Sequence, residues 1–313
     1  MRIIFMGTPE FAVASLDILI QNNYNVAAVV TVPDKPAGRG QHIQQSAIKK
    51  YALEKGLPIL QPEKLKDEDF INELKKLNGD LQLVVAFRML PEVVWNMPPL
   101  GTYNLHGSLL PKYRGAAPIN WAIINGETES GVTTFKLKHE IDTGNMLFQA
   151  KTPITETTTA GELHDSLMHI GAELILKTVK AVDSGDYKLL PQNDTEIIHA
   201  PKLFKETCKI NWNNSAEKIH NLIRGLSPYP TAFTEYMDKK NQTLGIKIYS
   251  AEKEISTHAL AIGSIISDNK TSLKVACSNG FISIKELQIA GKKRMFVDEF
   301  LRGFKIDSDL RFI

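Results

Sequence analysis

The chain has 313 residues, which is enough for one large domain or two domains of ordinary size. Its 43% hydrophobic and 23% charged residues are typical of a globular protein, and no apolar run is long enough to predict a membrane span. The two cysteines, Cys208 and Cys277, are too few for a disulfide framework, and the first residues lack the features of a signal peptide. These features predict a reduced, cytoplasmic protein without a membrane partner.

The net charge of +2 is unevenly distributed along the chain. Residues 205–313 contain 17 Lys and Arg against 12 Asp and Glu, whereas residues 1–204 contain 20 against 23. A basic C-terminal third favours contact with a polyanion, but only slightly, because a plain soluble domain can carry the same excess.

The first 90 residues alternate between apolar strands and helices. Strands are predicted at 2–6, 25–32 and 81–87, and helices after Thr8-Pro9, at 44–56 and at 67–78. Thr8 can cap the first helix, with Pro9 at its first position. Because the strands are apolar on both faces, the pattern predicts an α/β fold with a doubly wound, mainly parallel sheet covered on both sides.

Two further strands and a long helix follow before the pattern changes near residue 205. The strands are predicted at 131–138 and 146–153, and the helix at 160–182. After residue 205, short strand-like runs alternate with Gly, Asn, Ser and Asp: 244–249, 261–266, 273–276 and 281–287, with one helix near 215–226. We therefore predict two domains, 1–204 with the parallel sheet and 209–313 as a small OB-like β-barrel.

An amide, an imidazole and a carboxylate occur near predicted strand ends. Alternation in Asn104-Leu105-His106 places the two polar side chains on one face of a strand, and Asp142 lies in a loop that Gly144 closes. Acyl transfer needs an amide donor for the oxyanion and an imidazole for protons, while a carboxylate stabilises the protonated imidazole. The residues alone equally allow a structural Asn and His at a strand end and a turn-forming Asp.

Several spaced motifs in one order resemble the folate-dependent formyltransferases. They are Met6-Gly7-Thr8-Pro9-Glu10-Phe11-Ala12, Pro33-Asp-Lys-Pro-Ala-Gly38-Arg39-Gly40, Asn104-Leu-His106-Gly-Ser108-Leu-Leu-Pro111 with Arg114-Gly115-Ala-Ala-Pro118-Ile, and Gly131-Val-Thr133 with Ile141-Asp142-Thr-Gly144. The resemblance is strongest over residues 1–145. It implies transfer of a formyl group from 10-formyltetrahydrofolate, a co-substrate rather than a bound cofactor, to the α-amine of methionine on initiator tRNA.

The resemblance also implies roles for individual residues. Asn104 and His106 would stabilise the tetrahedral oxyanion, and Asp142 would set the protonation of His106. The implied folate contacts are Phe87, Arg88, Leu90, Ser108, Leu109, Leu110, Pro111 and Asp142. The implied tRNA contacts are Lys35 and Arg39 on the polar 33–50 loop and, in the densest basic cluster of the C-terminal part, Lys292, Lys293 and Arg294.

Position 88 departs from the pattern, because relatives carry Gly or another small residue there. Arg88 either faces solvent, which is the interpretation we prefer, or reaches the glutamate tail of folate. The single glycine of Gly7-Thr8-Pro9 does not form a dinucleotide-binding loop, so NAD binding is not expected. The histidines show no metal-ligand spacing, so we expect no metal, and we expect a monomer.

Two other functions are compatible with parts of the sequence. A formyltransferase could act on a small amine such as glycinamide ribonucleotide or an amino sugar nucleotide, but the β unit of roughly 105 residues and the basic 33–50 loop argue against this acceptor. A folate- or RNA-binding module without catalysis would be expected to lack the complete set of Asn104, His106 and Asp142.

Overall fold

The computed structural model describes residues 1–37, 42–237, 242–306 and 310–313. The chain divides into two compact units, of which the first comprises Met1–Pro118, Glu129–Thr152 and His164–Ala200. The second comprises Ile119–Thr128, Pro153–Leu163 and Pro201–Ile313. The sequence-based division into domains 1–204 and 209–313 concerns segments that could fold independently, and it stays a prediction.

The first part of the chain contains the strands and helices of an α/β fold. The strands are β1 (Arg2–Gly7), β2 (Asn25–Val30), β3 (Lys35–Ala37), β4 (His42–Gln44), β5 (Ile59–Leu60), β6 (Leu81–Val85), β7 (Thr102–His106), β8 (Arg114–Gly115), β9 (Glu129–Lys136), β10 (Met146–Pro153) and β11 (His199–Ala200). The helices are α1 (Glu10–Gln21), α2 (Ala47–Glu54), α3 (Glu68–Lys76), α4 (Glu92–Trp95), α5 (Pro118–Ile124) and α6 (Ala160–Ser184).

Seven of these strands form one sheet in the order β10-β9-β7-β6-β1-β2-β5. The five strands from β7 to β5 are parallel, and β9 runs antiparallel to β7. Residues 3–6 of the central strand β1 are at most 1% exposed, because helices cover both faces. The chain order reverses between β1 and β6, and a ligand site is expected at the carboxyl ends of strands beside such a reversal. The predicted doubly wound, mainly parallel fold is confirmed.

The short elements β5, β8, β11 and α4 were not predicted from the sequence, and two predicted local features of the first unit differ from the structure. Helix α1 begins at Glu10, with Pro9 as its N-cap residue, so the prediction that Thr8 caps the helix was wrong. The hydroxyl of Thr8 lies one residue too early and has no hydrogen-bond partner within the described ranges. The segment predicted as a surface loop contains the antiparallel pair β3 and β4, whose connection at residues 38–41 lies outside the described residues.

The second unit contains an antiparallel sheet packed against a helix. The remaining elements are α7 (Ala216–Gly225), β12 (Ala232–Met237), β13 (Thr243–Ile255), β14 (Ile265–Ser267), β15 (Leu273–Cys277), β16 (Gly280–Ile289), β17 (Met295–Phe296) and α8 (Val297–Gly303). The sheet order is β12-β13-β16-β15-β14, with β17 beside β16. Elements β12, β17 and α8 were not predicted from the sequence.

The last residues of the chain connect the two ends of this sheet. Phe312 pairs with Tyr236 on the edge strand β12, and the Phe312 amide donates to the carbonyl of Gly263 at 3.0 Å. Arg311 pairs with Ser264, just before β14 at the other end. These pairs curl the sheet around an apolar core that includes Trp212, which agrees with the predicted OB-like β-barrel.

Candidate active site

Strand β7 carries two polar side chains of the candidate site on one face. Asn104 and His106 point to this side, whereas Leu105 points to the opposite side and is 3% exposed. The side-chain amide of Asn104 is half-buried and has no hydrogen-bond partner among the residues that the structure describes. A half-buried amide without an internal partner is available to donate to a ligand.

His106 is buried and held by a hydrogen bond to the main chain. Its Nε2 lies 2.8 Å from the carbonyl oxygen of Tyr113, which can only accept a hydrogen bond. The network therefore assigns the proton of the neutral ring to Nε2 and leaves the lone pair on Nδ1. Nδ1 lies 3.8 Å from Oδ2 of Asp142. At this distance the carboxylate acts on the imidazole through its charge rather than through a direct hydrogen bond.

Asp142 adopts a left-handed backbone conformation, with φ of 53°. Its Oδ2 accepts a hydrogen bond from the backbone amide of Gly115 at 3.0 Å. A Cβ atom on Gly144 would lie 1.8 Å from the carbonyl oxygen of Lys136, which explains the glycine at the end of this loop. The carboxylate thus faces His106 and Gly115, whereas a turn-forming Asp bonds the backbone of its own turn.

The loop after β7 is held mainly by polar groups that were not predicted as site residues. The hydroxyl of Ser108 donates to the carbonyl of Lys112 at 2.6 Å. Thr133 on β9 donates to the Ser108 carbonyl at 2.7 Å and accepts from the Leu110 amide at 3.1 Å, while Gln149 donates to the Leu110 carbonyl at 2.9 Å. This network fixes the shape of the turn. Thr133 belongs to the Gly131-Val-Thr133 motif, but no local pattern predicts its contacts or those of Gln149, because the partners lie 16 to 39 residues away.

Among the predicted folate contacts of this turn, Ser108, Leu110 and Pro111 are buried and Leu109 is half-buried. The Ser108 hydroxyl is bonded within the turn, so the backbone and Leu109 are the groups through which this segment can meet a ligand. Contact between these residues and folate stays a prediction.

Arg88 lies in the loop after β6, with Phe87 and Leu90 packed into the apolar core of the first unit. The guanidinium donates to the carbonyl of Glu63 at 3.0 Å and to that of Pro62 at 2.8 Å. Burial lowers the pKa of Arg88, and its Nε has no partner within the described part of the chain. The expectation that Arg88 faces solvent was wrong, because the side chain turns back to the loop that follows β5.

The predicted tRNA contacts are distributed over two places. Lys35 is exposed on β3, and Arg39 lies outside the described residues. Lys292 and Lys293 are exposed in the turn between β16 and β17. These four residues remain predicted tRNA contacts.

Arg294 differs from the lysines before it, because its charge is matched by a neighbour. Its guanidinium donates to both carboxylate oxygens of Glu286 at 2.5 Å and lies 4.2 Å from the centre of the Tyr249 ring. The bond to Glu286 raises the pKa of Arg294. Its role as a tRNA contact stays a prediction, and phosphate would compete with Glu286 for the same donors.

Among the described residues, no three His, Cys, Asp or Glu side chains are grouped so that they could hold a metal ion. The same residues include no helix that could span a lipid bilayer. Cys208 and Cys277 are buried free thiols. The expectation that no resident metal is required stays a prediction.

The family of the chain follows from matches that cover both units. Residues 1–179 match the formyl transferase family, and residues 202–305 match the formyl transferase C-terminal domain. The protein belongs to the formyltransferase family. The expectation from the sequence motifs is thereby confirmed at the level of the family.

Two curated relatives are both methionyl-tRNA formyltransferases. The chain is 54% identical to the enzyme of Bacteroides fragilis over 310 residues, and the alignment covers 98% of this chain and 96% of the relative. It is also 54% identical to the enzyme of Flavobacterium johnsoniae over 312 residues, and that alignment covers 99% of this chain and 98% of the relative.

Solved structures share the fold at lower sequence identity. An N-formyltransferase from Helicobacter canadensis, in complex with folinic acid and dTDP-3-aminofucose, has a TM-score of 0.63 at 21% identity, covering 94% of this chain and 99% of its own. HypX from Aquifex aeolicus, in complex with tetrahydrofolic acid, has a TM-score of 0.64 at 18% identity, covering 98% of this chain and 48% of its own. At these identities the comparison establishes the fold alone.

Proposed function

We propose that this protein transfers the formyl group of 10-formyltetrahydrofolate to the α-amino group of methionine on initiator tRNA. The observation that carries the proposal is the full-length similarity to methionyl-tRNA formyltransferases at 54% identity. The site in the first unit supports the proposal, because it contains Asn104, His106 and Asp142. These three side chains suit attack by an amine on a formyl carbon.

The reaction forms one C–N bond and breaks another. The neutral amine attacks the formyl carbon, and the carbonyl oxygen becomes an oxyanion. The folate nitrogen then leaves with the bonding electron pair and takes a proton, while the former amine loses one. Asn104 supplies an N–H donor for the oxyanion, and the protonated Nδ1 of His106 supplies positive charge and a proton. Oδ2 of Asp142 lies 3.8 Å from this nitrogen, so a negative charge faces the imidazole during the transfer.

The folate and tRNA contacts follow from the resemblance rather than from a bound ligand. We place the folate against the loop after β6 and the turn after β7, at the carboxyl ends of the parallel strands. We place the acceptor tRNA against the 33–50 segment and the C-terminal unit, where the basic excess lies. Because charged tRNA is made and used in the cytoplasm, we propose that compartment for the protein.

An acceptor comparison tests the proposal. The intact protein is supplied with 10-formyltetrahydrofolate and, in separate reactions, charged initiator tRNA, charged elongator tRNA, free methionine or glycinamide ribonucleotide. We expect initiator tRNA to be formylated with the highest kcat/KM. His106→Ala serves as the inactive control, because it removes the ionisable imidazole.

Two results would contradict the proposed acceptor. Equal kcat/KM for free methionine and charged initiator tRNA would mean that the tRNA body is not recognised. Preference for glycinamide ribonucleotide or an amino sugar nucleotide would establish the small-amine alternative.

A further inference from the structure

Gln192 lies far from Asp142 in the sequence but contacts the loop that carries it. The side-chain Nε2 of Gln192 donates to the carbonyl oxygen of Asp142 at 2.8 Å and to that of Gly144 at 2.9 Å. Both hydrogens of one amide group are thereby used on the main chain of a single loop. These bonds tie the segment before β11 to the loop of Asp142.

The orientation of the Gln192 amide is fixed by Arg114. The Nε and Nη2 atoms of Arg114 lie 3.0 Å and 2.7 Å from Oε1 of Gln192. A guanidinium only donates hydrogen bonds, so the oxygen of the amide must face Arg114 and the nitrogen must face the loop. Arg114 is 8% exposed, so water competes little for these bonds.

The hydrogen bonds close into a ring around Asp142. Gly115, the residue after Arg114, donates its backbone N–H to Oδ2 of Asp142 at 3.0 Å. Gln192 holds the carbonyl of the same Asp142, and Arg114 holds Gln192. Asp142 is therefore held at both its carboxylate and its main chain.

The backbone of Asp142 needs such support. Its φ of 53° lies in the left-handed region, which is less favourable than the right-handed region for a residue with a side chain, although Asp tolerates it better than most. A change of this conformation would swing the carboxylate away from Nδ1 of His106, from which it is now 3.8 Å distant.

We propose that Gln192 is a positioning residue of the active site, which holds the carboxylate of Asp142 against His106 without touching substrate. The inference rests on the proposed function in that it assigns a catalytic role to His106 and Asp142. Gln192 acts through the main chain of the Asp142 loop, and Arg114 sets the direction of its amide.

Two variants of Gln192 separate hydrogen bonding from packing. Gln192→Glu has nearly the same shape and still accepts from Arg114, but it presents an oxygen to the carbonyls of Asp142 and Gly144. Gln192→Ala removes the side chain. We expect both to lower kcat for formyl transfer by about 10- to 100-fold, as displacement of a catalytic group by about 1 Å can do, with KM for folate changed less than about 3-fold.

Asn193→Ala is the matched control. Asn193 is the neighbouring amide and also accepts two hydrogen bonds, but both come from Thr195 rather than from the Asp142 loop. We expect this variant to keep the kcat of the unaltered protein. Thermal unfolding of all variants reports whether the fold is retained.

A double-substitution cycle tests whether Gln192 acts through Asp142. In the background of Asp142→Asn, adding Gln192→Ala should change kcat by less than about 2-fold, because the carboxylate that Gln192 positions is already gone. An equal loss from Gln192→Ala in both backgrounds would overturn the proposal. Unaltered kcat in Gln192→Glu would overturn it as well.

Hydrogen exchange of the Gly115 backbone amide, followed by NMR, gives a readout that does not depend on the acceptor. Gln192→Ala and Asp142→Ala should both speed this exchange, because in each case the amide loses the carboxylate oxygen that it is bonded to. Faster exchange in Asp142→Ala without faster exchange in Gln192→Ala overturns the positioning role, whatever the acceptor is. Failure of the unaltered protein to formylate any acceptor would instead overturn the proposed function.

Discussion

Asn104 is a half-buried amide on a rigid central strand, and the described part of the protein provides it with no hydrogen-bond partner. Polar groups in such places are normally satisfied internally. Its neighbour on the same face, His106, has a backbone partner at Nε2, and its Nδ1 lies 3.8 Å from Oδ2 of Asp142. The amide of Asn104 and this ring nitrogen are therefore the two groups of β7 that can serve a substrate.

Asn104→Ala should lower kcat for formyl transfer by about 10²- to 10³-fold, as loss of one oxyanion donor does in other acyl transferases. Stability should change little, because no internal hydrogen bond is lost. Turnover and thermal unfolding check the two expectations. Asn96→Ala, at an exposed asparagine after α4, is the control, and near-normal turnover in Asn104→Ala would show that the oxyanion lies elsewhere.

Arg88 connects two loops that follow parallel strands, and this connection predicts an effect on folate binding. Arg88→Ala leaves the carbonyls of Pro62 and Glu63 without their donor and should raise KM for folate several-fold, with kcat nearly unchanged. Arg88→Lys should give a KM for folate between those of the unaltered protein and Arg88→Ala, because an ammonium cannot reproduce the planar set of donors of a guanidinium.

Initial rates at varied folate concentration measure both parameters for Arg88. Lys66→Ala, at an exposed lysine in the segment before α3, is the control for loss of a surface cation. A fall in kcat at constant KM would contradict a role in shaping the folate site.

At the scale of elements, helix α7 in the second unit carries two buried side chains that can bear a positive charge, His220 and Arg224. Arg224 donates from Nη1 to the carbonyls of Thr155 and Thr158, both at 2.9 Å. Burial lowers the pKa of His220, and the charges of Arg224 and Lys253 lower it further. His220 therefore stays neutral in the folded protein at pH values where a solvated histidine begins to take up a proton.

This difference in pKa predicts a loss of stability in mild acid. Above about pH 8 His220 is neutral in both states and contributes no pH dependence. As the pH falls through about 6.5, the unfolded chain binds a proton that the folded chain binds more weakly, so the free energy of unfolding decreases. His220→Gln should therefore lose less stability than the unaltered protein between pH 7.5 and pH 5.

Urea unfolding at the two pH values measures this difference. His139→Gln is the control for loss of an imidazole from the surface, because the His139 side chain is 87% exposed. Identical pH dependence in His220→Gln and the unaltered protein would contradict the role of His220.

At the scale of the whole molecule, the unequal charge of the two parts of the chain predicts how the two substrates respond to salt. The last 109 residues carry 17 Lys and Arg against 12 Asp and Glu. Binding of tRNA releases counterions, whereas a small folate releases few. KM for charged tRNA should therefore rise steeply with salt concentration while KM for folate barely changes, and equal salt slopes would favour the small-amine alternative.

Arg39→Ala tests the other basic segment in the same assay. Loss of this charge should raise KM for tRNA and reduce its salt slope, with KM for folate unchanged as the internal control. Unaltered formylation at limiting tRNA would show that the 33–50 segment does not contact the acceptor.

Features encoded by neighbouring residues could be predicted from the sequence. Apolar strands alternating with helices specify a covered parallel sheet, because each strand must bury both faces. The two-residue period of a strand places Asn104 and His106 on one side regardless of the rest of the fold. Asp142 and Gly144 indicate a tight loop, because Asp and Gly favour turns through their own backbone preferences. The order of motifs then sufficed to identify the family.

Features that depend on the path of the chain were decided only by the tertiary structure. Gln192 reaches a loop 48 to 50 residues earlier, and Arg88 binds carbonyls 25 and 26 residues earlier. The last residues join two ends of a sheet that are separated in sequence by other strands. No local period or propensity encodes such partners, because each hydrogen bond exists only after both segments have been brought together by the packing of the sheet.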